Sequence, residues 1–275
     1  MFFTVISRSA AGFFKSTHLP AEQSSSLSIK HTGSAVTVDH ASLLGDPDFP
    51  KRLEPAEHGE FVVRLQELLR QYSRLGLSKD HDRSTAISGL QQRLMRVMNL
   101  QGGYGTFDSS VNPGLLRRSL LWHRSLEVSS LATITYPKHY EVPSWSWMSC
   151  SGPIDYFPLT FYGFDWQDLN LTWSDTKVAD GKTRLGATVQ NLDLTAANPF
   201  EADIIFDIPA KVDEQKIMAV VLGVEKGEAA PEDKTHYILV VTSKEAWGHS
   251  LYGRVGAGHV PGRCLVGQPD DCLLI

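Results

Sequence analysis

The chain has 275 residues, of which 42% are hydrophobic and 21% charged, so it can bury a sizeable core and is not a disordered chain. Residues 1–150 carry 16 basic and 13 acidic side chains, whereas residues 151–275 carry 10 and 18. Neither part has a basic stripe interleaved with aromatic residues, which excludes nucleic acid as an expected partner.

The first 58 residues are rich in Ser, His and Pro and show no sustained hydrophobic periodicity. We therefore predict a loosely structured lead-in over residues 1–58. Its start lacks the basic residues of a secretory signal, and no apolar run approaches the roughly 18 residues of a membrane span. A cytoplasmic protein with no stable membrane association is expected.

Residues 59–136 are predicted to be a helical region. A first helix starts near Phe61, where apolar residues recur at helical spacing up to Leu75, and Gly76 is a candidate C′ residue. A second helix is predicted over residues 84–97, with Asp82 or Ser84 as its cap. After a loop at residues 102–105, a third helix is expected to open at Asn112-Pro113 and to carry four apolar residues: Leu115, Leu116, Leu120 and Trp122.

Residues 137–275 are predicted to contain an aromatic segment followed by a β-rich unit. Prolines interrupt the aromatic segment, which makes a helix there unfavourable. Beyond it, short apolar runs rich in Val, Ile and Tyr predict antiparallel strands over residues 187–194, 204–208, 217–224, 237–242 and 252–255. The predicted fold class is α+β, with three helices followed by a β-rich antiparallel carboxyl-terminal half.

No pattern in the sequence assigns a catalytic, cofactor-binding or metal-binding residue. The nucleophile-elbow sequence G-x-S-x-G is absent, and the histidines lack the spacing of a zinc site. The glycine-rich run Gly253–Gly262 resembles a phosphate loop, but Pro261 prevents the helix that such a loop requires, so we predict a turn or bulge between strands. No enzyme and no cofactor are expected.

The three cysteines are an odd number without CxxC spacing, which favours a reducing compartment. The final residues Cys272-Leu273-Leu274-Ile275 match a prenylation pattern, but the preceding Asp270-Asp271 is acidic where a basic partner would aid anchoring. A terminal strand is therefore expected in place of lipidation at Cys272.

Residues 140–149 read Tyr-Glu-Val-Pro-Ser-Trp-Ser-Trp-Met-Ser and are followed by Gly152-Pro153-Ile154. This string resembles a block of fungal heterokaryon-incompatibility (HET) domain proteins. The matching positions are Pro143, Ser144, Trp145, Ser146, Trp147, Gly152 and Pro153. Three further blocks match in the family's order: Tyr72-Ser73-Arg74 leading to residues 86–90, residues 114–116 leading to Leu120-Leu121-Trp122, and Tyr252 with Arg254-Val255-Gly256-Ala257-Gly258.

The resemblance implies the carboxyl-terminal part of such a protein. The family's amino-terminal effector domain, related to Toll/interleukin-receptor folds, carries tryptophan-containing blocks upstream of the matched region, whereas the first tryptophan here is Trp122. Any killing or nucleotide-cleaving activity of that domain is therefore not carried over. The favoured function is non-catalytic recognition or regulation in fungal non-self response, through contacts with a protein partner.

The aromatic segment leaves an alternative open. Pro143 followed by alternating Ser and Trp predicts a strand with both indoles on one side, where they join the helical region to the β-unit or form a platform for a ligand. In the second case the chain is an enzyme or an accessory protein of a biosynthetic pathway with a small-molecule site near this segment, or a small-ligand-binding β-module. A pocket beside Trp145 or Tyr156 would favour that alternative, and a filled core there would favour the first.

Overall fold

A computed structural model describes residues 58–109, 114–137, 140, 142–160, 162–167, 184–198, 200–244 and 250–275. These residues all fall within one compact unit, Leu43–Ile275. Residues 1–57 of the predicted lead-in lie outside the described residues.

The first two predicted helices are confirmed, as α1 (His58–Ser73) and α2 (Arg83–Met98). Gly76 is not the C′ residue of α1, because the helix ends at Ser73. Beyond it, the N–H groups of Arg74 and Leu75 each donate to the carbonyl three residues earlier. Asp82 occupies the N-cap position of α2, but its side chain makes no capping hydrogen bond. The helix ends at Met98, and the left-handed backbone of the following Asn99 lets Leu100 N–H donate to Met95 O at 2.9 Å.

A β-hairpin and a short helix follow. The predicted loop at residues 102–105 is a two-residue turn, in which Tyr104 and Gly105 both have positive φ, between β1 (Gln101–Gly103) and β2 (Thr106–Asp108). The third helix, α3, is described over Gly114–Leu120, and its predicted opening at Asn112-Pro113 lies outside the described residues. Trp122 was wrongly expected on this helix. It begins the next strand because pairing with Tyr156 takes over from the helical hydrogen bonds.

The β-rich carboxyl-terminal half is confirmed, and with it the α+β class. Four of the eleven further described strands are short: β3 (Trp122–Arg124), β4 (Ala132–Thr133), β5 (Cys150–Ser151) and β6 (Ile154–Tyr156). The others belong to the main sheet: β7 (Phe164–Trp166), β8 (Leu185–Leu192), β9 (Asp203–Phe206), β10 (Ile217–Glu225), β11 (Thr235–Ser243), β12 (Leu251–Pro261) and β13 (Leu265–Leu274).

Five strands of the main sheet pair in a closed ring, in the order β11-β10-β8-β13-β12 and back to β11. All its pairings are antiparallel except β12 with β13, which is parallel. Strand β9 adds to β12, and β7 adds to β10. Closing the ring leaves few exposed strand edges.

A turn and a bulge are the two forms predicted for the glycine-rich run. The turn is wrong, because the run belongs to the long strand β12 up to Pro261. The other predicted form, a bulge, is present, because Val240 pairs with Gly256 while Val241 pairs with Arg254, leaving Val255 as the extra residue. The main-chain oxygen of Val255 accepts a hydrogen bond of 2.9 Å from Asp207 N–H, so the bulge is held from the β9 side.

Two large clusters of buried apolar side chains lie on either side of α3. The helical cluster contains the apolar face of α1, parts of α2, and Leu115, Trp122 and Trp147. The sheet cluster contains residues from six main-sheet strands together with Leu116, Leu120 and Trp145. Helix α3 therefore contributes to both cores.

Candidate functional site

The four sequence blocks of the HET resemblance meet in space. Tyr72 in the first block donates its hydroxyl to Arg83 O at 2.9 Å and places its ring edge-on to Trp147, with the centroids 6.0 Å apart. Its neighbour Ser73 accepts a hydrogen bond from Ile154 N–H at 3.0 Å. Arg74 donates to Ile154 O at 2.9 Å. The end of α1 is thereby attached to the residues of the third block.

Ser144 connects the third block to the fourth. Its hydroxyl accepts a hydrogen bond of 3.0 Å from Arg254 N–H, across 110 positions of the chain. The same hydroxyl donates to the main-chain oxygen of Ile275, which also accepts from Ser144 N–H at 3.0 Å. Ser144 is thus fully engaged in main-chain contacts, and Pro143 before it lines the neighbouring pocket.

The Arg254 guanidinium is the centre of this network. It pairs with both oxygens of Asp207, at 3.0 and 3.2 Å, and donates to Leu120 O at 2.7 Å and Trp122 O at 2.5 Å. Its central carbon lies 3.3 Å from the centroid of the Trp122 ring. The Arg254 side chain is 0% exposed, so the charge is tolerated only because the carboxylate, two carbonyls and an aromatic face surround it.

Both tryptophans of the third block are buried, each at 0% exposure. The strand predicted for them is wrong. Ser146 accepts a hydrogen bond from Met148 N–H at 3.0 Å and caps a 3₁₀ turn at Trp147–Ser149. The turn sends the indoles to different sides, Trp147 into the helical cluster and Trp145 into the sheet cluster. They join the two cores, as the interpretation of the segment as a structural link requires.

Hydrogen bonds fix the segment around both indoles. Ser146 donates to Tyr104 O at 2.6 Å, and Trp147 Nε1 donates to Gly105 O at 3.2 Å. Trp122 Nε1 donates to Trp145 O at 2.9 Å. The hairpin turn, the 3₁₀ turn and β3 are therefore mutually bound.

The glycines of the blocks stand where a side chain has no room. A Cβ atom on Gly256 would lie 2.7 Å from Ile205 O, and one on Gly258 would lie 2.3 Å from Asp203 O, because β9 packs directly against β12. Gly152 has a φ of +129°, and Pro153 after it accepts a hydrogen bond from Ser125 N–H at 3.0 Å. These positions serve backbone geometry.

A cavity of about 680 Å³ lies between residues 133–137, 140 and 142–144 on one side and the ends of β9, β11 and β12 on the other. Its lining includes Tyr136, Cys150, Asp207, Lys211 and Lys244. Sequence patterns single out none of these five residues as functional, because the chain segments that carry them are brought together only by the fold. The size is within the usual range for a small-molecule site.

Two ionisable groups in this cavity, the Cys150 thiol and the Tyr136 hydroxyl, are uncharged at neutral pH. Burial, and then the charge of Asp207, raise the pKa of the Cys150 thiol to about 11, so the thiol is protonated at neutral pH. Burial raises the pKa of Tyr136 to about 12, and its hydroxyl donates to Met148 O at 2.7 Å. No histidine lines the cavity among the described residues.

The cavity does not reach the residues that would have favoured an enzyme or accessory protein. Trp145 lies in the filled sheet cluster, and neither it nor Tyr156 is among the lining residues. Burial raises the pKa of Tyr156, whose hydroxyl has no hydrogen-bond partner among the described residues. The cavity instead opens beside Tyr136 and Tyr140, at the start of the predicted aromatic segment.

The terminal strand expected at Cys272 is confirmed as the end of β13. Cys272 pairs with Ala187 and is 5% exposed, and burial followed by the charge of Asp271 raises its pKa to about 11. All three cysteines are free and buried.

We expect the Cys272 thiol to stay unmodified, because a prenyltransferase needs an extended, accessible tail and this cysteine is part of a paired strand. Intact-mass spectrometry of protein from a fungal host checks this. A mass increase equal to a geranylgeranyl group would contradict the prediction.

In the described part of the chain, no three His, Cys, Asp or Glu side chains are grouped so that they could hold a metal ion. None of the described helices combines the length and the apolar character needed to cross a membrane. Comparison with known protein families, curated proteins and solved structures found no match.

Proposed function

We propose that this chain is a non-catalytic recognition or regulatory protein, resembling the carboxyl-terminal part of HET-type fungal incompatibility proteins, that acts through a protein partner. The observation that carries the proposal is that the four blocks contact one another: the second and third meet the fourth at Arg254, and the first is attached to the third at Ile154. Stretches up to 180 residues apart, Arg74 and Arg254 among them, belong to one network of side-chain and main-chain hydrogen bonds. A family that keeps its fold is expected to keep the sequence blocks that stabilise that fold together.

The chemistry of the blocks supports a non-catalytic role. Arg254 and Ser144 use their polar atoms on internal partners, and the two tryptophans are enclosed. A catalytic group must reach a substrate, whereas these groups hold the two cores together. The protonated Cys150 thiol in the cavity agrees with this, and three free cysteines fit a cytoplasmic location.

We expect the chain alone to cause no cell death. The test is induced expression in a fungal strain, with viability and cellular NAD followed over time. Both should stay at the level of the uninduced strain, since the residues of the blocks contribute to stability. Death or NAD loss that a point change abolishes without unfolding the protein would overturn the non-catalytic role.

Recognition is tested by crosslinking and affinity capture from a fungal lysate. The folded chain should enrich a partner that also captures it in the reciprocal experiment. The Trp147→Ala variant, in which the link between the cores is weakened, is the control bait and should enrich that partner less. Equal recovery with both baits, or no reciprocal capture, would contradict a role in recognition.

A further inference from the structure

Two lysines line the cavity beside Tyr136 and give part of it a positive charge. Lys211 ends the 3₁₀ turn Pro209–Lys211 after β9, and Lys244 directly follows β11. Lys211 Nζ donates to Thr133 Oγ1 at 2.9 Å, which holds its ammonium group against the cavity wall. Neither lysine forms an ion pair with a carboxylate among the described residues.

The Asp207 carboxylate, which lines the cavity, is already paired with Arg254. Asp207 is bound through both oxygens by Arg254, and its side chain is 7% exposed. The main-chain oxygen of Ile275, which also lines the cavity, accepts two hydrogen bonds from Ser144. Ile275 is the last residue of the sequence, so its carboxylate adds one negative charge to the lining, against two positive charges from Lys211 and Lys244.

Another part of the lining is aromatic and apolar. The rings of Tyr136 and Tyr140 lie 5.5 Å apart between centroids, and the bond from Tyr136 to Met148 O fixes the first ring. Val142 and Ile208 add aliphatic surface to the lining. A flat apolar body can pack against this surface while a charged end reaches the lysines.

We propose that the cavity binds a small organic anion, with its carboxylate or phosphate group at Lys211 and Lys244 and its apolar body against Tyr136 and Tyr140. Two ammonium groups in a concave site of this volume favour an anion over a neutral molecule of the same shape. The site lies apart from the buried tryptophans, and this proposal does not depend on the proposed protein partner.

Calorimetric titration with matched probes tests the ligand class. Phenyl phosphate and benzoate share a ring with benzyl alcohol, which carries no charge. We expect the better of the two anions to bind about tenfold more tightly than benzyl alcohol, and its affinity to fall as salt is raised. Comparing the two anions separates a phosphate site from a carboxylate site. Equal affinity for the anions and the alcohol would overturn the proposal.

Two variants locate the site. Lys211→Gln and Lys244→Gln remove one charge each from exposed side chains, so the fold should be retained. Each should weaken binding of the preferred anion about tenfold and leave benzyl alcohol unaffected. The control is Lys226→Gln. Lys226 directly follows β10, is not among the residues that line the cavity, and pairs with Asp165. Wild-type anion affinity in both cavity variants, or an equal loss in the control, would contradict the assignment.

Discussion

Replacing Arg254 with methionine is expected to destabilise the protein by ~3–5 kcal/mol, because it leaves the Asp207 carboxylate buried without its partner. Two main-chain carbonyls, of Leu120 and Trp122, lose their donor at the same time. Methionine retains much of the side-chain volume, so the loss measures charge and hydrogen bonding more than a cavity. A loss of this size is a large part of the stability of an ordinary domain.

Urea denaturation at neutral pH measures the effect. Arg263→Met is the matched control, because Arg263 is also an ion-paired arginine, with Glu201 and Asp233 as partners, but is partly exposed. Solvent screens exposed ion pairs, so the control should lose far less stability than Arg254→Met. Similar losses in both variants would contradict the central role of the buried pair.

A double variant separates the ion pair from the carbonyl contacts. Arg254→Met combined with Asp207→Leu removes both charges, so no carboxylate is left buried alone. We expect it to be less destabilised than the sum of the two single variants, since a buried pair is costly mainly when one partner remains. Strict additivity would show that the two side chains do not stabilise each other.

Replacing either Trp145 or Trp147 with alanine is expected to cost ~3–5 kcal/mol, since each indole is fully enclosed and its removal leaves a cavity. Trp147→Ala also leaves Gly105 O without the indole donor.

Thermal and urea denaturation check this prediction. Phe200→Ala removes an aromatic ring that is 95% exposed and should leave stability nearly unchanged, which makes it the matched control. An unchanged melting temperature in either tryptophan variant, together with lost binding of an anionic probe, would show that the indole belongs to a ligand site and not to the core.

Periodicity along the chain was sufficient to predict the elements whose own residues decide them. The apolar residues of α1 lie on one face only if the segment is a helix. The β-branched runs of β10 and β11 favour strands. Local pattern failed at Trp122 and at Trp145 to Trp147. There the backbone follows a strand pairing with Tyr156 and a cap from Ser146, which a pattern of side-chain polarity does not contain.

The sequence by itself determined the α+β class and the order of helices and strands, because these follow from short-range periodicity and hydrophobicity. Only the tertiary structure decided that Arg254 faces Asp207, that the two tryptophans enter different cores, and that Lys211 and Lys244 line one cavity. Such contacts depend on strand register and on chain segments that are distant in sequence, so the identity of neighbouring residues along the chain carries no record of them.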